Sequence, residues 1–189
     1  LKEVAEREGI EIHYVKDNKR SAAEDAAAWA DVVIVCLGND PTGSQEWAKA
    51  PWGQTALASD GREDVDRTSL QLEQEDLLRS VYKKNSRTVL VLISSFPYAI
   101  NWSQDNIPAI LHFTQSCQEL GHAVSDVIFG DYNPAGRTTQ TWVKDISDLP
   151  HIMDYDIRKG RTYMYFKGKP LYAFGHGLSY TSFDYSHLQ

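Results

Sequence analysis

Short, wholly apolar runs recur along the first two thirds of this chain, and amphipathic stretches separate them. Asp31 to Leu37 is apolar on both faces, as strands buried on both sides of a parallel sheet are; Thr88 to Ile93 reads as another buried strand and Pro108 to Phe113 as a strand after it. Ile10 to Val15 reads as another strand, and Thr138 to Val143 as a further one. Between them lie helical patterns. Ser21 is placed to cap an Ala-rich helix reaching Ala30, with Glu24 as its capping-box partner. Ser69 is placed to cap a helix whose apolar face is Leu70, Leu77, Leu78 and Val81, and Gln118 to Phe129 is a third helix. Strand and helix in alternation give right-handed crossovers and a parallel sheet. The expected fold is therefore α/β, a three-layer α/β/α sandwich with a mostly parallel sheet of about five or six strands. From Lys144 onward Tyr, Gly and Pro dominate and only short elements are expected.

The whole span, 1–189, reads as one domain of that kind, with 42% hydrophobic residues to supply its core. It opens at Leu1-Lys2-Glu3 in helical sequence, and the expectation is a parent protein extending further toward the N-terminus. Nineteen Lys and Arg against 26 Asp and Glu leave a net charge of −7. That balance argues against nucleic acid or an anionic membrane as partner, since both attract cationic side chains. No apolar stretch approaches the ~20 residues that cross a bilayer. The two cysteines, Cys36 and Cys117, form no disulfide framework, and Cys36 reads as a small buried hydrophobe. Six dispersed histidines give no metal-ligand spacing, so neither metal nor cofactor is expected.

The polar segment from Gly38 to Thr68 is the most informative stretch. At about 30 residues it far exceeds an ordinary connection, and loops of that length are usually functional or disordered. It leaves the carboxyl end of a central-looking strand, where open α/β sheets place their ligands. Trp47 and Trp52 offer indole faces for the C–H face of a sugar ring, or they pin the loop to the domain. Glu46, Asp60, Glu63, Asp64 and Asp66 supply carboxylates. An acid in a loop is by default a solvated charge, and spacing alone does not choose a catalyst among them. There is no G-x-G-x-x-G after a strand, no P-loop and no G-x-S-x-G elbow, which removes the common nucleotide-binding and hydrolase readings of such a sheet.

Several motifs, in order, resemble the C-terminal α/β domain of glycoside hydrolase family 3. Glu63-Asp64-Val65-Asp66-Arg67 with Leu70 and Leu72 resembles the family's E-G-x-D-R-x-x-L-x-L. Ala123-Val124-Ser125-Asp126-Val127-Ile128-Phe129-Gly130-Asp131-Tyr132-Asn133-Pro134-Ala135-Gly136-Arg137 resembles A-D-V-L-F-G-D-x-N-P-S-G-R. Pro170-Leu171-Tyr172-Ala173-Phe174-Gly175-His176-Gly177-Leu178-Ser179-Tyr180-Thr181-Ser182-Phe183 completes the set. The likeness runs from about Ala22 to the C-terminus. It departs where Asp64 replaces the family's Gly, where Leu72-Glu73 replaces L-P, and where Ser116-Cys117 precedes Gln118-Glu119 in place of P-G.

The resemblance implies a retaining, exo-acting β-glycosidase. Such enzymes use two carboxyl groups about 5–5.5 Å apart, one as nucleophile and one as acid/base. It implies that the nucleophile belongs to an N-terminal barrel domain of the same protein, and that Glu63 is the acid/base, with Glu46 the next candidate. The substrate is then a β-linked oligosaccharide or aryl glycoside, with Trp47, Trp52 and Asp60 as contacts. Asp66 and Arg67 are expected to support the loop through an ion pair and backbone bonds. Gly160-Arg161-Thr162-Tyr163-Met164-Tyr165 resembles the β-xylosidase-like members, which favours terminal xylose over glucose. Residues 184–189 resemble the start of a linker to a fibronectin-type domain. The rival reading is a non-catalytic carbohydrate-binding or interaction module of the same α/β fold. Periplasmic or secreted location would suit a polysaccharide-degrading enzyme, but no residue gives an address.

Overall fold

The computed structural model describes residues 1–16, 19–39, 67–115 and 118–187. Among these, β1 (Val33–Gly38), β2 (Thr88–Ile93) and β3 (Ala109–Phe113) form one parallel sheet in the order β1-β2-β3. Helices α1 (Lys2–Arg7), α2 (Arg20–Trp29), α3 (Glu75–Lys84), α4 (Asn101–Asn106) and α5 (Leu120–Phe129) intersperse with them. The fold is α/β with a parallel sheet and flanking helices, as the alternation predicts.

The register shows which face carries the core. Val35 pairs with Leu90 and Leu37 with Leu92, so these four side chains share one face. They pack with Ala27 of α2 and with Leu78 and Val81 of α3, together with Ile100 and Ile107, in a single cluster. Leu78, Leu90 and Leu92 are wholly buried. Val91 must point to the opposite face and is buried just as completely, so β2 is covered on both sides. Cys36 also points to that opposite face and is exposed, because the alternation gives the core to its neighbours Val35 and Leu37. Its surroundings still desolvate the sulfur enough to push the thiol pKa up.

The sheet has three strands among the described residues, where five or six were expected. Ile10 to Val15 takes no strand partner among the described residues, and Ile10, Ile12 and Tyr14 face solvent. An edge strand gains ladder bonds on one side only, so an alternating pattern there does not enforce pairing. Thr138 to Val143 contracts to a single antiparallel bridge, Trp142 with Tyr172; only Trp142 and Val143 of that run are buried. The caps also differ. Ser21 lies inside α2, whose N-cap is Lys19 without a side-chain bond. Ser69 closes a local turn through the N–H of Gln71, 3.1 Å away, and α3 starts later, with Glu75 and Asp76 in its first turn and Lys83 and Lys84 in its last. Those charges oppose the partial charges of the helix ends.

Two polar joints fix the helices. Asn85 follows α3 and donates from Nδ2 to the carbonyls of Ala27 (3.1 Å) and Ala30 (2.6 Å), satisfying the end of α2. Glu75 accepts from the backbone N–H and hydroxyl of the buried Ser103 at 3.0 and 2.6 Å. Its other oxygen accepts from Arg79 at 2.8 Å, and the Arg79 guanidinium lies 4.4 Å from the Trp102 ring centroid. One carboxylate thus binds α3 to α4.

The tail beyond Lys144 holds single 3-10 turns at Ile146–Asp148 and Ile157–Lys159 and the short helix α6 (Thr162–Tyr165). It returns to the sheet through Trp142, whose N–H donates to the Tyr172 carbonyl at 2.8 Å. Trp142 packs edge-on against His112 of β3 (4.9 Å between centroids) and against Tyr172 (5.5 Å). The Tyr172 phenol donates to Gln104, and burial beside Asp105 pushes its pKa up to about 12. The motifs at 123–137 and 170–183 are bonded to each other. Asn133 Oδ1 accepts from the Ser179 hydroxyl (2.9 Å) and the Tyr180 N–H (2.8 Å), and the Tyr180 hydroxyl donates to the Val127 carbonyl at 2.6 Å. His176 sits in a turn, donating its N–H to Ala173 at 3.0 Å.

Two predictions follow from these joints. Glu75→Ala strands a buried N–H and hydroxyl at Ser103 and unpairs Arg79, and should lower unfolding stability by about 2–4 kcal/mol in urea titration. The second concerns His112, whose ring lies between Ser94 and Trp142 although more than a third of the residue remains exposed. Burial holds its pKa below the ordinary 6.5, partly opposed by the bond to Ser94. The unfolded chain therefore binds more protons below 6.5 than the folded chain does. Stability from neutral His112 is complete above pH 6.5 and is lost as pH falls through the depressed value. His112→Gln should lose less stability than the parent sequence between about pH 7.5 and pH 5, read as the difference in urea midpoints.

Candidate functional site

Residues 40–66 lie outside the described residues, and with them Glu46, Trp47, Trp52, Asp60, Glu63 and Asp66. Of the site residues expected from sequence, Arg67 alone is described. The structure does define both points at which this long segment joins the sheet, and the two points share one platform.

The first is the end of β1. The Gly38 N–H donates to Gln74 Oε1 at 2.9 Å. Gly38 has φ +153°, and a Cβ there would lie 1.8 Å from the carbonyl oxygen of Ile93. The backbones at the ends of β1 and β2 are pressed together, and only glycine fits between them. Asn39 then spans the strand ends. Its N–H donates to the Ile93 carbonyl at 3.2 Å, and its side-chain oxygen accepts from the Ser95 N–H at 3.2 Å. Its carbonyl accepts from the Gln115 amide, and the Ser95 hydroxyl donates to Gln115 as well. One polar group past each of β1, β2 and β3 is therefore tied to the other two.

The second is Arg67. Its guanidinium lies 3.7 Å from the centroid of the Phe96 ring, an arrangement in which the cation meets the negative face of the π system. Nη1 is buried, with no hydrogen-bond partner among the described residues. Desolvation lowers its pKa, while nearby Tyr98 acts in the opposite direction. Three residues on, the Leu70 carbonyl accepts from the Ala99 N–H at 2.7 Å, and Leu70 packs with Ala99 and Val143.

Both roots thus rest on the Ser94–Ala99 connection that follows β2. Residues 40–66 leave from and return to the carboxyl edge of the sheet, the edge at which α/β folds hold ligands. The sequence did not single out Asn39, Gln74, Ser95 or Gln115. The signal available was a polar amide or hydroxyl just past each buried strand. Glu119, expected at a helix start, is the N-cap of α5 and bonds His122 Nδ1 at 2.5 Å, which raises the histidine's pKa. Among the described residues no three His, Cys, Asp or Glu side chains converge as a metal site, and no helix is long and apolar enough to cross a membrane.

Comparison with known proteins agrees with this architecture. The family model for the glycosyl hydrolase family 3 C-terminal domain matches residues 2–180. A xylan 1,4-beta-xylosidase of Xylanibacter ruminicola is 39% identical over 154 residues, covering 80% of this chain and 17% of its own length. Thermostable beta-glucosidase B of Acetivibrio thermocellus is 33% identical across 97% of this chain and 23% of its own. Among solved structures, the beta-D-glucoside glucohydrolase of Trichoderma reesei superposes with a TM-score of 0.81 at 25% identity, over 98% of this chain and 26% of that one. The family 3 beta-glucosidase of Neurospora crassa gives 0.78 at 28% identity, over 100% of this chain and 24% of that one. The chain spans about a fifth of the length of the curated relatives it matches. With its parallel sheet, its ordered motifs and a family match over nearly its full length, the chain belongs to glycosyl hydrolase family 3, as a C-terminal domain.

Proposed function

We propose that this span is the second domain of a retaining, exo-acting β-glycosidase, and that it contributes the general acid/base for release of terminal β-linked xylose or glucose. The observation that carries the reading is the anchoring of residues 40–66. A segment bearing six carboxylates and two tryptophans is flanked at both ends by residues anchored at the carboxyl edge of the sheet of a family 3 domain. Two relatives, 39% and 38% identical, carry xylosidase names, which favours a xyloside, while a glucosidase name on another relative keeps glucose as the alternative.

In this reading Glu63 protonates the leaving oxygen and then deprotonates water, and a nucleophile from the N-terminal barrel attacks the anomeric carbon. A carboxyl group that must be protonated near neutrality needs a raised pKa, which a neighbouring nucleophile carboxylate and burial between two domains both provide. Asp64, directly beside Glu63, adds a further negative charge in the same sense. Trp47, Trp52 and Asp60 bind the sugar by stacking and hydrogen bonds. Asp66 and Arg67 hold the segment's return, with the Phe96 ring as the Arg67 footing.

Glu63→Gln in the full-length parent should lower kcat by roughly 10²–10⁴ on substrates with poor leaving groups, and azide should restore part of the rate on activated aryl β-xylosides and β-glucosides. Unchanged turnover would leave a non-catalytic carbohydrate-binding module as the better account. Residues 1–189 by themselves should hydrolyse neither substrate, because half of the carboxylate pair is supplied from elsewhere; turnover by the purified span would overturn the two-domain arrangement.

A further inference from the structure

We infer that His112 is a positioning residue for the proposed reaction: through the Ser94 hydroxyl it fixes the Phe96 footing of Arg67, and with it the point from which the acid/base is held. This rests on the acid/base reading of Glu63.

Ser94 opens the connection after β2 and is wholly buried. Its N–H donates to the Phe113 carbonyl at 2.9 Å, which fastens it to the end of β3. Its Oγ lies 2.9 Å from the Phe96 carbonyl oxygen and 3.1 Å from His112 Nε2. A hydroxyl has one proton and a carbonyl has none, so the Ser94 proton goes to Phe96 and the oxygen accepts from the imidazole. Burial holds the His112 pKa below 6.5, so at neutral pH the ring carries one proton. The two bonds together assign that proton to Nε2. His112 thereby sets the direction in which the buried hydroxyl points, and each bond of such a chain strengthens the next.

The ring is itself held. Trp142 is 4% exposed and meets it edge-on, with centroids 4.9 Å apart, and Tyr172 backs Trp142 at 5.5 Å. The connection after β2 is thus tied to a side chain of the sheet that packing immobilises. What the hydroxyl holds lies beside both roots of residues 40–66. Ser95, the next residue, gives its N–H to Asn39 at 3.2 Å. Phe96, the one after, offers its ring to the Arg67 guanidinium at 3.7 Å and leans on the buried Tyr98, with centroids 5.5 Å apart. A shift of the Phe96 backbone moves that ring and the arginine seated on it. Arg67 follows Glu63 by four residues, a reach of at most about 14 Å of chain. Misplacing a catalytic group by about 1 Å costs up to about 10²-fold in rate.

The test is kinetic and uses the full-length parent. His112→Leu keeps an apolar side chain against Trp142 but removes the N–H, whereas His112→Gln keeps an N–H within reach of Ser94. His112→Leu should lower kcat/KM on xylobiose and cellobiose by roughly tenfold. On dinitrophenyl β-glycosides the fall should be less than about twofold, because that leaving group departs without an acid and kcat/KM reports the first bond cleavage. His112→Gln should keep most of the parent's kcat/KM on both. Ser94→Ala should repeat the selective loss, and the double variant with His112→Leu should lose no more than either single change. Equal losses on both leaving groups would mark general destabilisation and overturn the inference. So would an unchanged kcat/KM on the disaccharides, or the same loss in His112→Gln as in His112→Leu. Glu63→Gln assayed alongside separates the two readings. If it leaves turnover intact, the acid/base reading fails and takes this inference with it. If it abolishes disaccharide cleavage while His112→Leu does not weaken it, the positioning role alone fails.

Discussion

Where β1 ends, the Gly38 backbone lies so close to the carbonyl of Ile93 that no side chain fits between them. That approach brings Asn39 within reach of Ser95 and Gln115, so that the ends of three strands are locked by polar bonds immediately above a dry core. Strand ends in a parallel sheet otherwise diverge into unrelated connections. Here the connection after β2 receives both the departure of residues 40–66 at Asn39 and their return at Arg67.

Two of the domain's motifs are bonded to one another. The stretches around Asn133 and Tyr180, which carry much of the likeness to the family, are spent on each other through bonds between Asn133, Ser179 and Tyr180 and through the Tyr180 hydroxyl on Val127. They weld the C-terminal end of α5 to the tail. Of the stretch from Glu63 to Arg67 only Arg67 lies among the described residues, and it stacks on Phe96.

The sheet was legible in the sequence because Val33–Gly38 and Thr88–Ile93 are apolar runs bounded by polar turns, whereas Ala109–Phe113, which carries His112 and is nowhere fully buried, was legible only as the next step of the alternation. Helix α5 was legible for a related reason, since Val124 and Val127 repeat on one buried side. The half-apolar runs misled. Ile10, Ile12 and Tyr14 alternate as a strand should but meet water, and Thr138 to Val143 buries only its last two side chains. Ser21 and Ser69 suggested caps because hydroxyls favour helix starts, yet both helices begin without a side-chain cap. The lacing by Asn39, Ser95 and Gln115 left no periodic trace at all, since an isolated amide past a strand looks like any loop residue. At the proposed catalytic segment, spacing offered several equivalent carboxylates, and only the likeness to a family selected Glu63 among them.

The bridge between Trp142 and Tyr172 has a consequence for the order in which the molecule is assembled. The indole is synthesised about thirty residues before the strand partner that seals it, whereas its other neighbour, His112, is already in place on β3. During translation the sheet and α5 can form while Trp142 lies on the His112 ring with one flank open to water. The tail is then the last element to close, and until Tyr172 arrives the nascent domain carries a wet tryptophan that a chaperone or a neighbouring chain would recognise.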